Sequence, residues 1–283
     1  MKNKHLVILL TTMITTILLV SFVNSSECAS EVCGLSTSTV VTNDPPSVPN
    51  CWTISAITLN AQSTKVVSVY CNVTDTGSYT DINVTSATGQ FTKSGETTRS
   101  SGAGGCWNSA ASGTTMKVGC NVTFQYYDGS GSWSYNITIQ DNSQGQATNT
   151  SYTATVNALD YVDVSATSIS WSSVSPNTND NEATTAITWT NGGNQPYATL
   201  GVTAYNATSS GNTIHADKFM IDDQTGQTTG QTYLDDSVSI DWVPFSLPDG
   251  SSSTEVGYFY VDIGNLPPGT YTSTTNWLFA ITT

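Results

Sequence analysis

The chain of 283 residues carries 21 acidic and seven basic residues, a formal net charge of −14 with only 10% of its residues charged. That length suits two domains of ordinary size. An acidic surface of this kind repels nucleic acid and anionic lipid, so neither is an expected partner. Ser, Thr, Asn and Gly dominate the polar residues, and aromatic and β-branched residues stand in short runs between turn residues, which predicts an all-β fold.

In chain order, Lys2 and Lys4 precede an apolar run of 18 residues, Leu6 to Val23. Residues 1–25 therefore read as a hydrophobic signal helix, either a signal peptide cut near Ser25 or Ser26 or a retained signal anchor. Attachment to a membrane is expected only through this segment, if it is uncut. Its removal leaves five basic and 21 acidic residues, or −16. Residues 26–50, with Asn43-Asp-Pro-Pro-Ser-Val-Pro49, read as a linker or extended arm that could donate a strand to the open sheet edge of another subunit.

Strand candidates in residues 51–158 are 53–60, 65–74, 79–85, 115–127, 132–140 and 150–157, with an exposed loop over Gly89 to Gly105. A second set covers 159–283: 161–171, 184–190, 197–205, 213–221, 233–243, 255–263 and 270–282. Each set predicts one sandwich of about seven strands. The charge changes at the same boundary, because residues 51–158 hold five acids and four bases whereas 159–283 hold 13 acids and only Lys218.

The stretch from Cys120 to Ser143 reads as one β-hairpin. Val118, Cys120, Val122, Phe124 and Tyr126 alternate onto an inward face, Asp128-Gly-Ser-Gly turns the chain, and Trp133, Tyr135, Ile137 and Ile139 return on the inward face.

Six cysteines, Cys28, Cys33, Cys51, Cys71, Cys106 and Cys120, all precede the second set of strands, and an even count in an exported chain favours disulfides. Cys51 with Cys71 and Cys106 with Cys120 would staple hairpins; Cys71 with Cys120 and Cys51 with Cys106 would tie two sheets together. Cys28 and Cys33 would close a small loop or bond a neighbouring molecule. No Cys-x-x-Cys pair with a nearby His suggests zinc. Glycosylation sequons stand at Asn72, Asn83, Asn121, Asn136, Asn149 and Asn206, and the first four fall on the predicted outward phase of strands.

Catalytic signatures are sparse. Beyond the leader the chain has one histidine, His215, and neither a Gly-x-Ser-x-Gly elbow nor a phosphate-binding glycine loop. Asp222, Asp223, Asp235, Asp236 and Asp241 form a candidate calcium cluster, with a carboxylate-dependent hydrolase as the catalytic alternative. Asn177 to Glu182 offers a second oxygen-rich run. Trp52, Trp107, Trp133, Trp171, Trp189, Trp242 and Trp277 read as sandwich core, or as a sugar-stacking platform where they are exposed.

The run Phe124 to Ser143, with its aromatic strand, Gly-Ser turn, Trp-x-x-Asn-x-Thr strand and Asp-Asn ending, resembles the immunoglobulin-like modules of exported archaeal cell-surface proteins. Ser173-Val-Ser-Pro-Asn177, Ile187 to Pro196 and Leu266-Pro-Pro-Gly-Thr-Tyr-Thr272 look like parts of a second sandwich type that often follows them. The resemblance implies tandem immunoglobulin-like or fibronectin-like β-sandwiches, a secreted or cell-surface setting, and no catalytic residue. The expectation is a non-enzymatic surface glycoprotein with a structural, filament or adhesion role, whose partners are copies of itself or other surface proteins. A carbohydrate-binding module is the alternative, with glycans as partner. Calcium is the one cofactor entertained.

Overall fold

In a computed structural model of the chain, the described residues are Thr39 and 42–283. The expected signal segment 1–25, most of the arm and the Cys28–Cys33 pair lie outside the described residues. Where alternation is longest the sequence forms its longest strands. Eight build the first half: β1 (Ser47–Cys51), β2 (Lys65–Thr74), β3 (Ile82–Thr92), β4 (Arg99–Ser100), β5 (Cys106–Ser112), β6 (Thr115–Phe124), β7 (Gly131–Asp141) and β8 (Gln146–Val156). They form two antiparallel sheets, ordered β1-β2-β6-β5 and β4-β3-β7-β8.

Between these sheets lies one core. β2 and β6 pair over ten residues, Lys65↔Phe124 to Thr74↔Thr115, which points Val69, Cys71, Val118, Cys120, Val122 and Phe124 inward, all fully buried. β7 answers with Trp133, Tyr135, Ile137 and Ile139. Ring contacts cross the gap, Phe91 to Phe124 at 5.0 Å and Phe124 to Trp133 at 5.2 Å. Each such side chain withdrawn from water is worth about 1.5–3 kcal/mol.

The stretch from Cys120 to Ser143 is not a hairpin. β6 pairs with β2 and β5, whereas β7 pairs with β3 and β8, so residues 125–130 carry the chain from one sheet to the other. The alternation placed the inward side chains correctly, Tyr126 excepted, because both sheets face the same core. Buried Asp128 fixes the crossing: its carboxylate accepts the Gln125 amide at 2.8 Å and the Arg99 guanidinium at 2.9 Å. This bidentate pair raises the Arg99 pKa above its ordinary value.

Other boundaries shift. The expected strand at 53–60 is a loop with a single parallel bridge, Ile57↔Val156, and the edge position is taken by β1, whose first residues were read as arm. Inside the expected loop Gly89 to Gly105, β3 continues to Thr92 and β4 pairs with it. Among the described residues the disulfides are local, Cys51–Cys71 joining β1 to β2 and Cys106–Cys120 joining β5 to β6. They fit an oxidising, extracellular setting. Among the described residues no helix is long and apolar enough to cross a membrane.

The second half has more, shorter strands: β9 (Val162–Val164), β10 (Thr178–Glu182), β11 (Ile187–Asn191), β12 (Thr199–Thr203), β13 (Ala207–Ser209), β14 (Asn212–Ile214), β15 (Phe219–Asp222), β16 (Thr232–Tyr233), β17 (Ile240–Trp242), β18 (Thr254–Ile263), β19 (Thr272–Ser273) and β20 (Leu278–Thr282). β18 is the spine of a six-stranded sheet, β16-β15-β18-β11-β9, with β10 also paired to β18. Sheets β17-β12-β20 and β14-β13-β19 complete the half. Trp189, Trp242, Phe245 and Phe259 fill its core.

Residues 43–283 form one compact unit, and the loop Asn191 to Gln195 joins its two cores. Asn194, 2% exposed, donates to Asp128 O and to Asn157 O, both at 3.0 Å, and accepts the Leu159 amide at 2.7 Å. Gly193 must lack a side chain, since a Cβ there would stand 2.0 Å from Leu159 O. Replacing Asn194 by Ala strands three buried polar groups, so Asn194→Ala should lower unfolding free energy in urea by about 1–3 kcal/mol. It should also speed amide exchange at Leu159, measured by hydrogen–deuterium exchange.

Candidate functional site

The second core is incompletely covered. Val162, Val164 and Ala166 alternate with exposed neighbours and are half-buried against the core; after Thr167 and Ser168, both exposed, Ile169 and Trp171 return to it, and only Val162–Val164 form a strand. Among the described residues the backbone of 166–174 makes one backbone hydrogen bond, Thr184 N to Ser170 O at 2.8 Å. Across from it, Leu266, Tyr271, Trp277 and Phe279 are also half-buried. Between the two segments opens a cleft of about 1160 Å³ whose floor is the core itself, at Ile187, Phe219 and Val261.

Local bonds hold the walls. Trp171 Nε1 donates to Asn181 O at 2.9 Å, and its ring lies 5.3 Å from Phe219. On the far wall Trp277 Nε1 donates to Tyr205 O at 3.3 Å, its ring 5.0 Å from Phe219. Tyr271 OH donates to Pro267 O at 3.0 Å, holding the Pro267-Pro-Gly turn. The cleft thus offers fixed aromatic walls, an apolar floor and one flank of unpaired backbone. These are the requirements of an added β-strand, whose alternate side chains enter the floor while its amides and carbonyls complete a ladder. The expected strand 161–171 forms only over Val162–Val164, and residues 165–174 run on as loop.

The predicted aspartates do not gather. Asp236 accepts Asn206 Nδ2 at 3.1 Å, Asp235 accepts the Asp236 amide at 2.7 Å, Asp222 accepts the Gln224 amide at 2.9 Å, and Asp241 is exposed on β17. Among the described residues, the acidic group whose oxygens converge is Asp75, Asp81 and Asp141, in the first half. In the run from Asn177 to Glu182, Glu182 accepts Thr225 Oγ1 and the Gly226 amide, and Asp180 accepts Gln231 Nε2, so these oxygens hold loops together.

Of the tryptophans, Trp133, Trp189 and Trp242 are buried, Trp107, Trp171 and Trp277 are half-buried, and Trp52 is 43% exposed. Lys117 Nζ lies 4.4 Å from the Trp52 ring centre and 4.7 Å from that of Tyr70, whose ring meets Trp107 edge-on at 5.8 Å. Of the sequons, Asn121 is exposed, with Ser68 Oγ donating to its Oδ1. Asn72, Asn83, Asn136, Asn149 and Asn206 are half-buried. Asn149 Nδ2 donates to Val48 O at 2.9 Å, and Asn136 Oδ1 is buried at a β7–β8 bulge without a partner among the described residues. His215 is exposed before a single turn of 3-10 helix, Ala216–Lys218.

No family model matches the chain, and no curated protein does. Among solved structures, the chain is similar to a secreted serine protease, VesC from Vibrio cholerae, at 10% identity and a TM-score of 0.22, over 82% of this chain and 49% of that one. The chain thus spans about half the length of that protein, and a TM-score of this size carries no argument.

The acidic surface of the second half is sensitive to pH. Burial raises the Glu255 carboxyl, with Asp223 adding like charge, and burial raises Asp222 against the stabilising Gln224 amide. A raised carboxyl binds its proton more tightly when folded. It therefore contributes stability that is fully present below the unfolded value, about pH 4, and is lost as pH rises through the folded value. Urea midpoints measured from pH 4 to 7 should show this decline, and Asp222→Asn with Glu255→Gln should flatten it.

Proposed function

We propose that this chain is a non-enzymatic, secreted or cell-surface component that assembles with copies of itself by strand donation. The observation that carries the proposal is the uncovered cleft beside residues 166–174. The donor is the stretch from Cys33 to Thr42 of a neighbouring copy, where Thr37, Thr39, Val40, Val41 and Thr42 supply β-branched side chains. From its root at residue 43 the ten-residue donor, fully extended, reaches about 33 Å.

Geometry supports an open assembly. The arm enters the first half at β1, near the Asp141 end of β7, whereas the second half joins near the Asp128 turn at the other end of β7. Donor and acceptor are thus different segments of the chain, and the contact between copies is head-to-tail. A head-to-tail contact of that kind propagates into a filament unless its rotation closes a ring.

The first half supports an immunoglobulin-like reading. Sheets ordered β1-β2-β6-β5 and β4-β3-β7-β8 correspond to the A-B-E-D and C′-C-F-G sheets of that sandwich. The sequons support glycosylation outside the cell, and Asn121, exposed on its strand, is the site most accessible to a glycan. A second reading, carbohydrate binding, is favoured only by the exposed Trp52 beside Tyr70 and Trp107, a face already occupied by Lys117.

Filament formation by the chain from residue 26 should be visible by electron microscopy, whereas the chain cut to residue 43 should remain monomeric in light scattering. A synthetic peptide of residues 33–42, with Cys33 replaced by Ser, should bind the cut chain and shift its tryptophan fluorescence. Trp277→Ala should weaken that binding at least tenfold. Equal assembly by the cut chain would sink the proposal.

A further inference from the structure

We infer that Asp75, Asp81 and Asp141 form a calcium-binding site at the root of the arm. The inference is independent of strand donation. One oxygen from each carboxylate lies within 4.8 Å of one from each of the others. Oxygens that share a calcium ion at 2.3–2.6 Å must lie within about 5 Å of one another, so the spacing is that of ligands round a common centre. Three carboxylates at this distance bring like charges together, which a shared cation would offset. Among the described residues the ion pairs are Lys93–Glu96, Arg99–Asp128 and Lys218–Asp217, and none involves this group.

A second observation points to a ligand. Asp75 is 3% exposed, and its Oδ2 is fully buried with no hydrogen-bond partner among the described residues, while Oδ1 accepts the Gly77 amide at 2.9 Å. A buried carboxylate oxygen without a donor is costly. A cation between the three aspartates removes that cost. Asp141, 1% exposed, is already aimed: its Oδ1 accepts the Ser143 and Gly145 amides, both at 2.8 Å, and its Oδ2 accepts Asn43 Nδ2 at 2.7 Å.

The donor set selects the metal class. All three ligands are hard carboxylate oxygens and no His or free thiol joins them, which disfavours zinc and copper. The ligands come from the end of β2, the 3-10 turn Tyr79–Asp81 and the end of β7, an irregular loop setting that suits calcium better than the strict octahedron of magnesium. The arm closes over the same place. Asp44 accepts Thr76 Oγ1 at 3.2 Å, and Pro45 lies so close to Gly145 that a Cβ there would stand 3.0 Å from Pro45 Cα. Bound calcium would therefore fasten the residues leading into β1 to three separate segments of the first half.

The full chain, stripped with a chelator, should bind terbium at one site with emission sensitised through Tyr79, two residues before Asp81. Calcium should displace it with a dissociation constant of about 10⁻⁴–10⁻³ M, the range of extracellular modules. Calcium at about tenfold over that constant should raise the melting temperature by about 3–5 °C above a matched sodium control. Asp81→Asn, a half-buried position outside the buried network, should keep the fold and weaken binding at least tenfold. Asp75→Asn should do the same where it folds, and Asp223→Asn should leave binding unchanged. Terbium emission indifferent to Asp81, or a melting temperature that calcium does not move, would overturn the assignment.

Discussion

A β-strand needs partners for its amides and carbonyls at both edges and cover for its apolar face, and the two halves of this chain meet that requirement to different degrees. In the first half β2 and β6 are paired on both sides, β3 and β7 likewise, and the facing sheets bury every inward side chain of β6 and β7. In the second half Ala166, Ile169 and Trp171 pack against a core, and among the described residues the backbone of 166–174 makes one backbone hydrogen bond. The same chain thus holds one closely paired sandwich and a second half with a less continuous ladder.

How much was legible in the sequence follows from the same physics. Period 2 gave the bounds of β2 to the residue and named Cys120, Phe124 and Trp133 as core, because alternation reports burial directly. It could not distinguish a hairpin from a crossing, since β6 and β7 turn the same faces toward one core from opposite sheets. β1 was hidden by Pro49, a residue that edge strands tolerate and central strands do not. β5, Cys106–Ser112, was missed because six of its side chains after Cys106 offer little apolar contrast.

The sites were less legible than the fold. Asp222, Asp223, Asp235, Asp236 and Asp241 are close in sequence and dispersed in space, each spent on a nearby amide or left in water. Asp75, Asp81 and Asp141 are spread along the chain and converge, because β2 and β7 end at the same edge of the core. Two of them also serve as ordinary turn aspartates: Asp75 caps Gly77, and Asp141 caps Ser143 and Gly145. Only the oxygens left over after those turn bonds reveal the convergence.

The disulfides Cys51–Cys71 and Cys106–Cys120 sit in one sheet, tying β1 to β2 and β5 to β6, so each edge strand is covalently fastened to its inner neighbour. A tensile load entering through the arm meets this arrangement first. It can peel β1 only as far as Cys51, where the pull passes through the bond into Cys71 in the middle of the ten-residue β2–β6 ladder. Beyond that point the load is shared across many hydrogen bonds at once instead of breaking them one by one, and the chain between Cys51 and Cys71 stays slack. The sheet therefore gives up a few residues of length and then stiffens, as a knot does when a rope is drawn tight.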